Sequence, residues 1–399
     1  MGIFWARPTT QPQPASAEQA TVYTHGLHVY GNKILNAFGQ EVKLVGVNRS
    51  SFESACLPDD NGNPHPLHDG PADKSEVAAM KSWHINIVRV SLNEDCWLGL
   101  HGAVAYASPA AYQEDVANYV NLLTINNIAV VLTLVYATPS GTPDGVLAGI
   151  GGRQWPMPNR QHSPDFWVSV ATRFMDNSRV IFDVYNEPHP LNSQADGPYG
   201  SSEAAWLCWR DGGTYLTGGA CQYDPDYWPY EVAGMQELIN AIRSTKATNI
   251  ILVPVNDWSS DPSGWLQYPL SDDQLAVGWH SYGDGLACQN PDCWNTQLAP
   301  IMEQYPLIAD EIGEFDCGHS YIDQLLAFLD AHNGHYMAHT WGPYGCTADP
   351  ALITDWCGTP TQTYGQAYKD HLAEISQGVD SGPLPDCAVA QAIDGVAAG

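Results

Sequence analysis

Residues 108–136 read SPAAYQEDVANYVNLLTINNIAVVLTLVY, and the change of period inside this stretch decides the fold class. Ser108 ahead of Pro109 is a helix start, since a serine hydroxyl can cap the first free N–H groups and proline at the first helical position lacks one. The segment that follows has helical periodicity as far as Asn127. IAVVLTL, residues 128–134, is then apolar without alternation, as expected of a strand covered on both faces. A helix leading directly into such a strand is part of a parallel βα unit.

The same alternation extends outward in both directions. Strand-like runs span Val42 to Val47, Ile85 to Val90, Ala129 to Leu134, Val180 to Tyr185, Asn249 to Val255, Leu275 to His280, Leu307 to Glu311 and Tyr336 to Trp341. Helical segments lie between them: Ser163-Pro164 opens DFWVSVATRFMDN, and YEVAGMQELINAIRST and SYIDQLLAFLDAH carry apolar residues three and four apart. Eight such runs in one chain predict an α/β fold, a single (β/α)8 TIM barrel with long decorated loops. A doubly wound open sheet is the alternative, but no strand is followed by a GxGxxG or GxxxxGK[ST] phosphate loop. The barrel is expected over 21–377, with a flexible Pro/Gln/Ala linker at 1–20 and a Gly/Ala/Pro-rich tail at 378–399.

Of the 399 residues, 15 are Lys or Arg and 44 Asp or Glu, for a net charge of -29. That balance opposes nucleic acid and anionic membranes as partners, and no stretch approaches the ~20 apolar residues of a membrane span. Fourteen Trp and 20 Tyr in a chain with few charges suit flat sugar rings, although core packing is expected to use more than half of them. Ten cysteines without a CxxC pair or zinc-type spacing favour disulfides, an oxidising compartment and a secreted protein. The Cys208/Cys221 and Cys288/Cys293 intervals could each close a loop. Met1 to Arg7 lacks an export signal, so secretion implies one removed or replaced. DPDYW (224–228) and DWSSDPSGW (257–265) read as turns, with a calcium site as the alternative. No cofactor or metal is expected, and the chain is expected to act as a monomer.

Active sites of such barrels lie at the C-terminal ends of the strands. Those positions carry Asn48 and Arg49 after the first run, Arg89 near the end of the second, and Asn186 and Glu187 after the fourth. Asn256 and Asp257 follow the fifth, His280 and Tyr282 the sixth, Glu311 ends the seventh and Trp341 the eighth. Glycosidic cleavage needs one protonated carboxyl for the leaving oxygen and one ionised carboxylate at the anomeric carbon. VIFDVYNEPHP and PLIADEIGEF place Glu187 and Glu311 where both can enter one pocket. Esterase, zinc-protease and kinase readings lack their G-x-S-x-G, HExxH and nucleotide-loop motifs.

Over roughly residues 26 to 375 the sequence resembles glycoside hydrolase family 5, a family of retaining barrel glycosidases. The resemblance rests on GNKILNAFGQEVKLVGVNRSSFE, NIVRVSLNEDCW, YNEP, WHSYG, ADEIG and HTWGPYG, in that order. It implies Glu187 as acid/base with a raised pKa, and Glu311 as nucleophile kept ionised by Arg89 and Tyr282. It further implies Asn186 on the sugar 2-hydroxyl, His280 orienting the acid/base or the sugar, and Trp341 as the apolar platform. The family's histidine at the end of the third strand is replaced here by Val135, leaving Tyr136, His162 or Arg160 to take over part of its role. Within DEIGEF, strand alternation predicts that Asp310 faces the helical layer if Glu311 faces the mouth, with Glu314 at the loop edge. The implied activity is an endo-β-1,4-glucanase on a β-linked polysaccharide or oligosaccharide. A β-mannanase, an exo-β-glucanase or a diglycosidase are the alternatives within the family, and a carbohydrate-binding degenerate barrel is the alternative outside enzymes.

Overall fold

The computed structural model describes residues 23–376 except 59–62, 140–153, 191–201, 215–220, 222–229, 284 and 346–348. The segments read as linker and tail, and DPDYW, lie outside the described residues. Eight parallel strands close into a barrel in sequential order: β1 Val45–Arg49, β2 Ile87–Asn93, β3 Ala129–Tyr136, β4 Val180–Asp183, β5 Ile251–Pro254, β6 Leu275–Ser281, β7 Leu307–Ile312 and β8 His335–Ala338. Each strand lies within a predicted run or overlaps it. The helices packed outside include α1 Lys74–Ser82, α2 Pro109–Ile125, α3 Ser163–Phe174, α4 Met235–Ser244, α5 Ser320–Ala331 and α6 Tyr364–Ile375.

Strand alternation divides the interior into two layers. Ile87, Val131, Ile181, Leu252, Ala276, Ile308 and Met337 form a buried apolar layer with Leu27, Ile34, Val42 and Leu44. Ile34 belongs to a hairpin of His28–Tyr30 with Lys33–Leu35, so this N-terminal segment plugs the end of the barrel away from the site. Two or four residues further along the strands the same face turns polar, with Asn48, Arg89, Thr133, Asp183, His280 and Asp310 all buried. The opposite faces, including Val47, Val88, Val90, Val130 and Leu132, pack into the larger core under the helices. Gly46 permits the close β1–β2 approach: a Cβ there would stand 1.7 Å from the Ile87 carbonyl oxygen.

The helix starts differ in how they are satisfied. Ser108 caps α2 by accepting the Ala111 N–H at 3.2 Å, as its sequence position predicts. Ser163 does not cap α3. Its hydroxyl donates instead to the buried Glu94 carboxylate at 2.5 Å, which Asn159 also contacts at 2.5 Å. YEVAGMQELINAIRST splits, because Glu231–Ala233 pairs with Gly212–Thr214 and the helix begins only at Met235. After β5 comes a four-residue turn, Asn256–Ser259, in which Asp257 and Trp258 have left-handed backbone angles.

Three disulfides join described cysteines: Cys208–Cys221 and Cys288–Cys293 close the short loops anticipated from their spacing, and Cys56–Cys96 ties the loop after β1 to the helix Glu94–Leu98 after β2. No helix among the described residues is long and apolar enough to cross a membrane. The Cys56–Cys96 bridge spans 40 residues of chain and constrains the unfolded state most of the three. By loop-closure entropy it contributes about 4 kcal/mol. A Cys56→Ala/Cys96→Ala variant is therefore expected to unfold at markedly lower denaturant than the parent; equal midpoints in a urea titration would show that this bridge does not constrain the chain.

Candidate active site

Arg89 enters the barrel from β2 and is fully buried. Its Nη1 donates to Glu311 Oε1 at 2.5 Å and to Asn48 Oδ1 at 3.2 Å. Nη2 donates to Asp183 at 2.8 Å, to Asn186 Oδ1 at 2.7 Å and to Thr133 at 3.1 Å, while Nε lies 3.1 Å from Asp183 and 3.2 Å from Asp310. Glu94 holds Ser163 and Asn159, and Asp95 holds His101 and Thr138. Next along β1, Asn48 points inward and Arg49 outward, where Arg49 pairs with Glu76 at 2.7 Å under α1.

Glu311 stands at the end of β7 with Oε1 on Arg89 and Oε2 accepting the Tyr282 hydroxyl at 2.6 Å. Burial would raise its pKa, but His280, Arg89 and His339 and the phenol bond outweigh burial and hold the carboxyl well below the ordinary range. Glu187 follows β4 on the other side of the pocket. One of its oxygens meets His280 Nδ1 at 2.9 Å and the other accepts Gln154 Nε2 at 3.0 Å. Gln154 also accepts the Asn186 amide at 2.6 Å, so one side chain orients both members of the Asn-Glu pair. Burial works against a charged His280, yet the Glu311 and Asp310 carboxylates more than offset it and push its pKa up to about 10. An oxygen of Glu187, a nitrogen of His280 and an oxygen of Glu311 all lie within 4.8 Å of one another. That trio has the donor types of a metal site. Arg89 already supplies the positive charge on Glu311, however, and both His280 nitrogens face carboxylates, so the positions a cation needs are taken.

The two carboxylates line a cavity of about 300 Å³ together with Trp258, Ser260, His280, Tyr282, Leu286, Gln289 and Phe315. Its aromatic walls are Trp258, stacked face to face on His189 at 3.5 Å, and Phe315, stacked on Tyr282 at 5.1 Å. A second cavity of about 350 Å³ is lined by the Cys288–Cys293 loop and shares Leu286 and Gln289 with the first.

Glu187, Glu311, Arg89, Asn186, His280 and Tyr282 thus meet in one place, and three expectations need correction. Trp341 is not at the pocket: it is completely buried, with its ring edge-on to Trp83 at 5.1 Å. Strand β8 stops at Ala338, and the Trp341 N–H turns back to the Asn48 carbonyl at 2.8 Å, which carries the indole into the core outside the barrel. Asp310 does not face the helices. It lies in phase with Ile308, its carboxylate reaching Arg89, His280 and the Trp279 N–H. Register shifts between Gly278 and His280 and between Ala309 and Ile312 break the alternation and turn Glu311 to the mouth as well. His162 and Arg160 take no part either, His162 packing on His101 and Arg160 pairing with Glu237 at 2.9 Å. Tyr136 ends β3 half-buried and outside the described cavity wall, its hydroxyl pushed up to about 12 by burial and the Glu53 carboxylate.

Asp183, Gln154 and Trp258 are the members that sequence reasoning missed. Asp183 carries the available signal, an acid inside an apolar strand; its pKa is pushed up to about 7 by burial, against the pull of Arg89. The DWSSDPSGW stretch is a turn in which Asp261 accepts the Ser263 N–H at 2.9 Å.

A family model described as Cellulase (glycosyl hydrolase family 5) matches residues 35–345, more than half of the chain. The chain belongs to that family. Among its relatives, endoglucanase 1 of Robillarda sp. (strain Y-20) is 31% identical over 208 residues, 45% of this chain and 44% of that one. The chain thus spans less than half the length of that relative. An endoglucanase of Paenibacillus polymyxa is 22% identical over 400 residues, covering 92% of this chain and 91% of its own. A β-glucanase from Saccharophagus degradans, solved in complex with cellotetraose, shares the fold with a TM-score of 0.64 at 18% identity, over 92% of this chain and 98% of that chain.

Glu314 has a different part from its neighbours in DEIGEF. Its carboxylate accepts the N–H groups of Tyr321 and Ile322 at 3.2 Å, satisfying free donors in the first turn of α5. Replacing such a cap costs about 1 kcal/mol. Glu314→Ala is expected to lower the unfolding free energy by that amount while hydrolysing substrate at close to the parent rate. An inactive yet fully folded Glu314→Ala enzyme would contradict the separation of capping from catalysis.

Proposed function

We propose that this chain is a secreted retaining β-glycoside hydrolase, an endo-β-1,4-glucanase, with Glu187 as general acid/base and Glu311 as nucleophile. The approach of the two carboxylates and His280 to within 4.8 Å carries the reading. Retaining glycosidases hold their carboxyl groups ~5 Å apart for direct attack, whereas inverting ones leave a wider gap for a water. Family membership and the endoglucanase relatives support the glucan substrate, and a second cavity that shares Leu286 and Gln289 with the first offers room for further sugar units beside the site. The three disulfides support an oxidising, extracellular setting.

In the first step Glu311 Oε attacks the anomeric carbon as the glycosidic C–O bond breaks, and the Glu187 proton passes to the departing oxygen. Arg89 and Tyr282 hold the attacking carboxylate in place and ionised. In the second step Glu187, now a carboxylate, takes a proton from water, whose oxygen displaces Glu311 and releases the sugar with the β configuration. Asn186, aligned by Arg89 and Gln154, offers its amide to the sugar 2-hydroxyl. Glu311→Ala is expected to abolish turnover, and added azide to restore cleavage of an activated aryl glycoside as the α-glycosyl azide. Glu187→Ala should give the β-azide, because there the anion enters after the covalent intermediate has formed. Products characterised by proton NMR decide the matter: the opposite pairing of azides would exchange the two roles.

Trp258, rather than Trp341, is the aromatic surface we assign to the sugar on the leaving-group side, because it lines the cavity beside Glu187. Its turn is held in place by the Trp258 N–H bond to Pro188 O at 3.1 Å and the Ser259 hydroxyl bond to Asn186 O at 2.7 Å. Stacking of this kind is worth about 1 kcal/mol. Trp258→Ala should therefore lower kcat/KM on a soluble β-1,4-glucan about fivefold, and an unchanged value would remove this residue from the subsite.

A further inference from the structure

The mechanism above leaves one ionisable group beside Glu311 without a role. His339 directly follows β8, and its half-buried ring stands edge-on to Tyr282 at 6.1 Å between centroids, the same Tyr282 whose hydroxyl is bound to Glu311. Its Nε2 bonds the Asp349 carboxylate at 2.8 Å, while Nδ1 is buried with no partner among the described residues. The backbone around it is tied to the nucleophile's strand: the His339 N–H donates to the Ile312 carbonyl at 2.8 Å, and the Tyr364 hydroxyl contacts the carbonyls of both Ile312 and His339. An imidazole paired with one carboxylate and packed beside the phenol that holds another is poorly explained as filling, because an apolar ring would pack there without leaving a buried nitrogen unsatisfied.

We propose that His339, oriented by Asp349, is a positioning residue for Glu311: its ring fixes the Tyr282 phenol that bonds the nucleophile, and its charge faces that same carboxylate. The proposal rests on the reading of Glu311 as nucleophile. The groups facing His339 are Asp349 from the loop after β8, Glu311 on β7, Tyr282 after β6, Arg89 on β2 and Glu53 after β1. Burial disfavours the imidazolium, but Asp349 and Glu311 outweigh it and Arg89, so the pKa lies above the ordinary histidine value. The sign follows. His339 carries its charge at acidic pH, where a cation near Glu311 lowers the pH at which the nucleophile is protonated. Removing that charge raises the pKa of Glu311, and the acidic limb of the rate profile, which requires an ionised nucleophile, moves to higher pH.

Two variants separate charge from packing. His339→Phe keeps a ring against Tyr282 and removes the cation; Asp349→Asn keeps the imidazole and removes the group that holds it charged. Both are expected to shift the acidic limb of kcat/KM upward, His339→Phe by about one pH unit and Asp349→Asn by less. kcat should fall about tenfold in His339→Phe with KM nearly unchanged. His339→Lys, which restores a cation, should return the limb toward its original pH. An acidic limb at the parent pH in both His339→Phe and Asp349→Asn would overturn the proposal even if their rates are low, since a packing residue alters rate without moving the ionisation of Glu311. The parent enzyme distinguishes the two readings: a bell-shaped parent profile with unshifted variants sinks only the role of His339, whereas a parent that releases no reducing ends from any β-glucan sinks the hydrolase reading and this inference with it.

Discussion

A single buried guanidinium organises the open end of this barrel. Arg89 touches side chains from β1, β3, β4 and β7, and three of the groups within its reach are the carboxylates of Asp183, Asp310 and Glu311. Removing such charges from water is expensive, and the arrangement is tolerable only because each donor has an acceptor. Its value lies in geometry, since a planar fork with fixed donor directions ties four strands to one another at the level where Glu311 must be held. A lysine could supply the charge but not the directions.

Around that cation the charges are unequal in number. Arg89 and His280 face Asp183, Asp310, Glu311 and Glu187, so the cluster holds more acidic groups than bases, and its protons are shared out by environment. Asp183, fully buried and beside the Asp310 carboxylate, is pushed toward protonation, while Glu311, between Arg89, His280 and Tyr282, is driven the other way. Two carboxylates with opposite tendencies in one buried network fit the nucleophilic role proposed for Glu311.

The site also depends on local backbone that ordinary strands and helices do not supply. Asp257, Trp258 and Ser259 all have positive φ, a conformation disfavoured for residues with side chains. Within the turn Asn256 accepts the Asp257 N–H and the Ser260 hydroxyl donates to the Asp257 carbonyl, while the Ser259 hydroxyl and the Trp258 N–H donate to the Asn186 and Pro188 carbonyls and so bring an indole beside Glu187. The interruption in β7 does similar work for Glu311, allowing two consecutive acids to serve the same polar network.

The sequence alone determined the barrel and much of its chemistry. Continuous apolar runs such as IAVVLTL alternate with helical periods, and burial on both faces leaves few other folds for that pattern. Polar residues at the ends of such runs can only collect at one rim, which is why Arg89, Asn186, Glu187, His280, Tyr282 and Glu311 are legible in the sequence. Tertiary structure decided what depends on register and on contacts distant in sequence. Alternation read Asp310 outward because a register shift leaves no mark in composition, and Trp341 read as a sugar platform because nothing in HTWGPYG tells where the strand stops. Gln154 and Trp258 lie in irregular loops whose direction is set by hydrogen bonds to residues about 30 and 70 positions away. The same holds for His339, which gains its place beside Tyr282 only when β6, β7 and β8 close side by side: the one-dimensional pattern specifies which face of each strand is buried, and only the packed barrel specifies which side chains meet there.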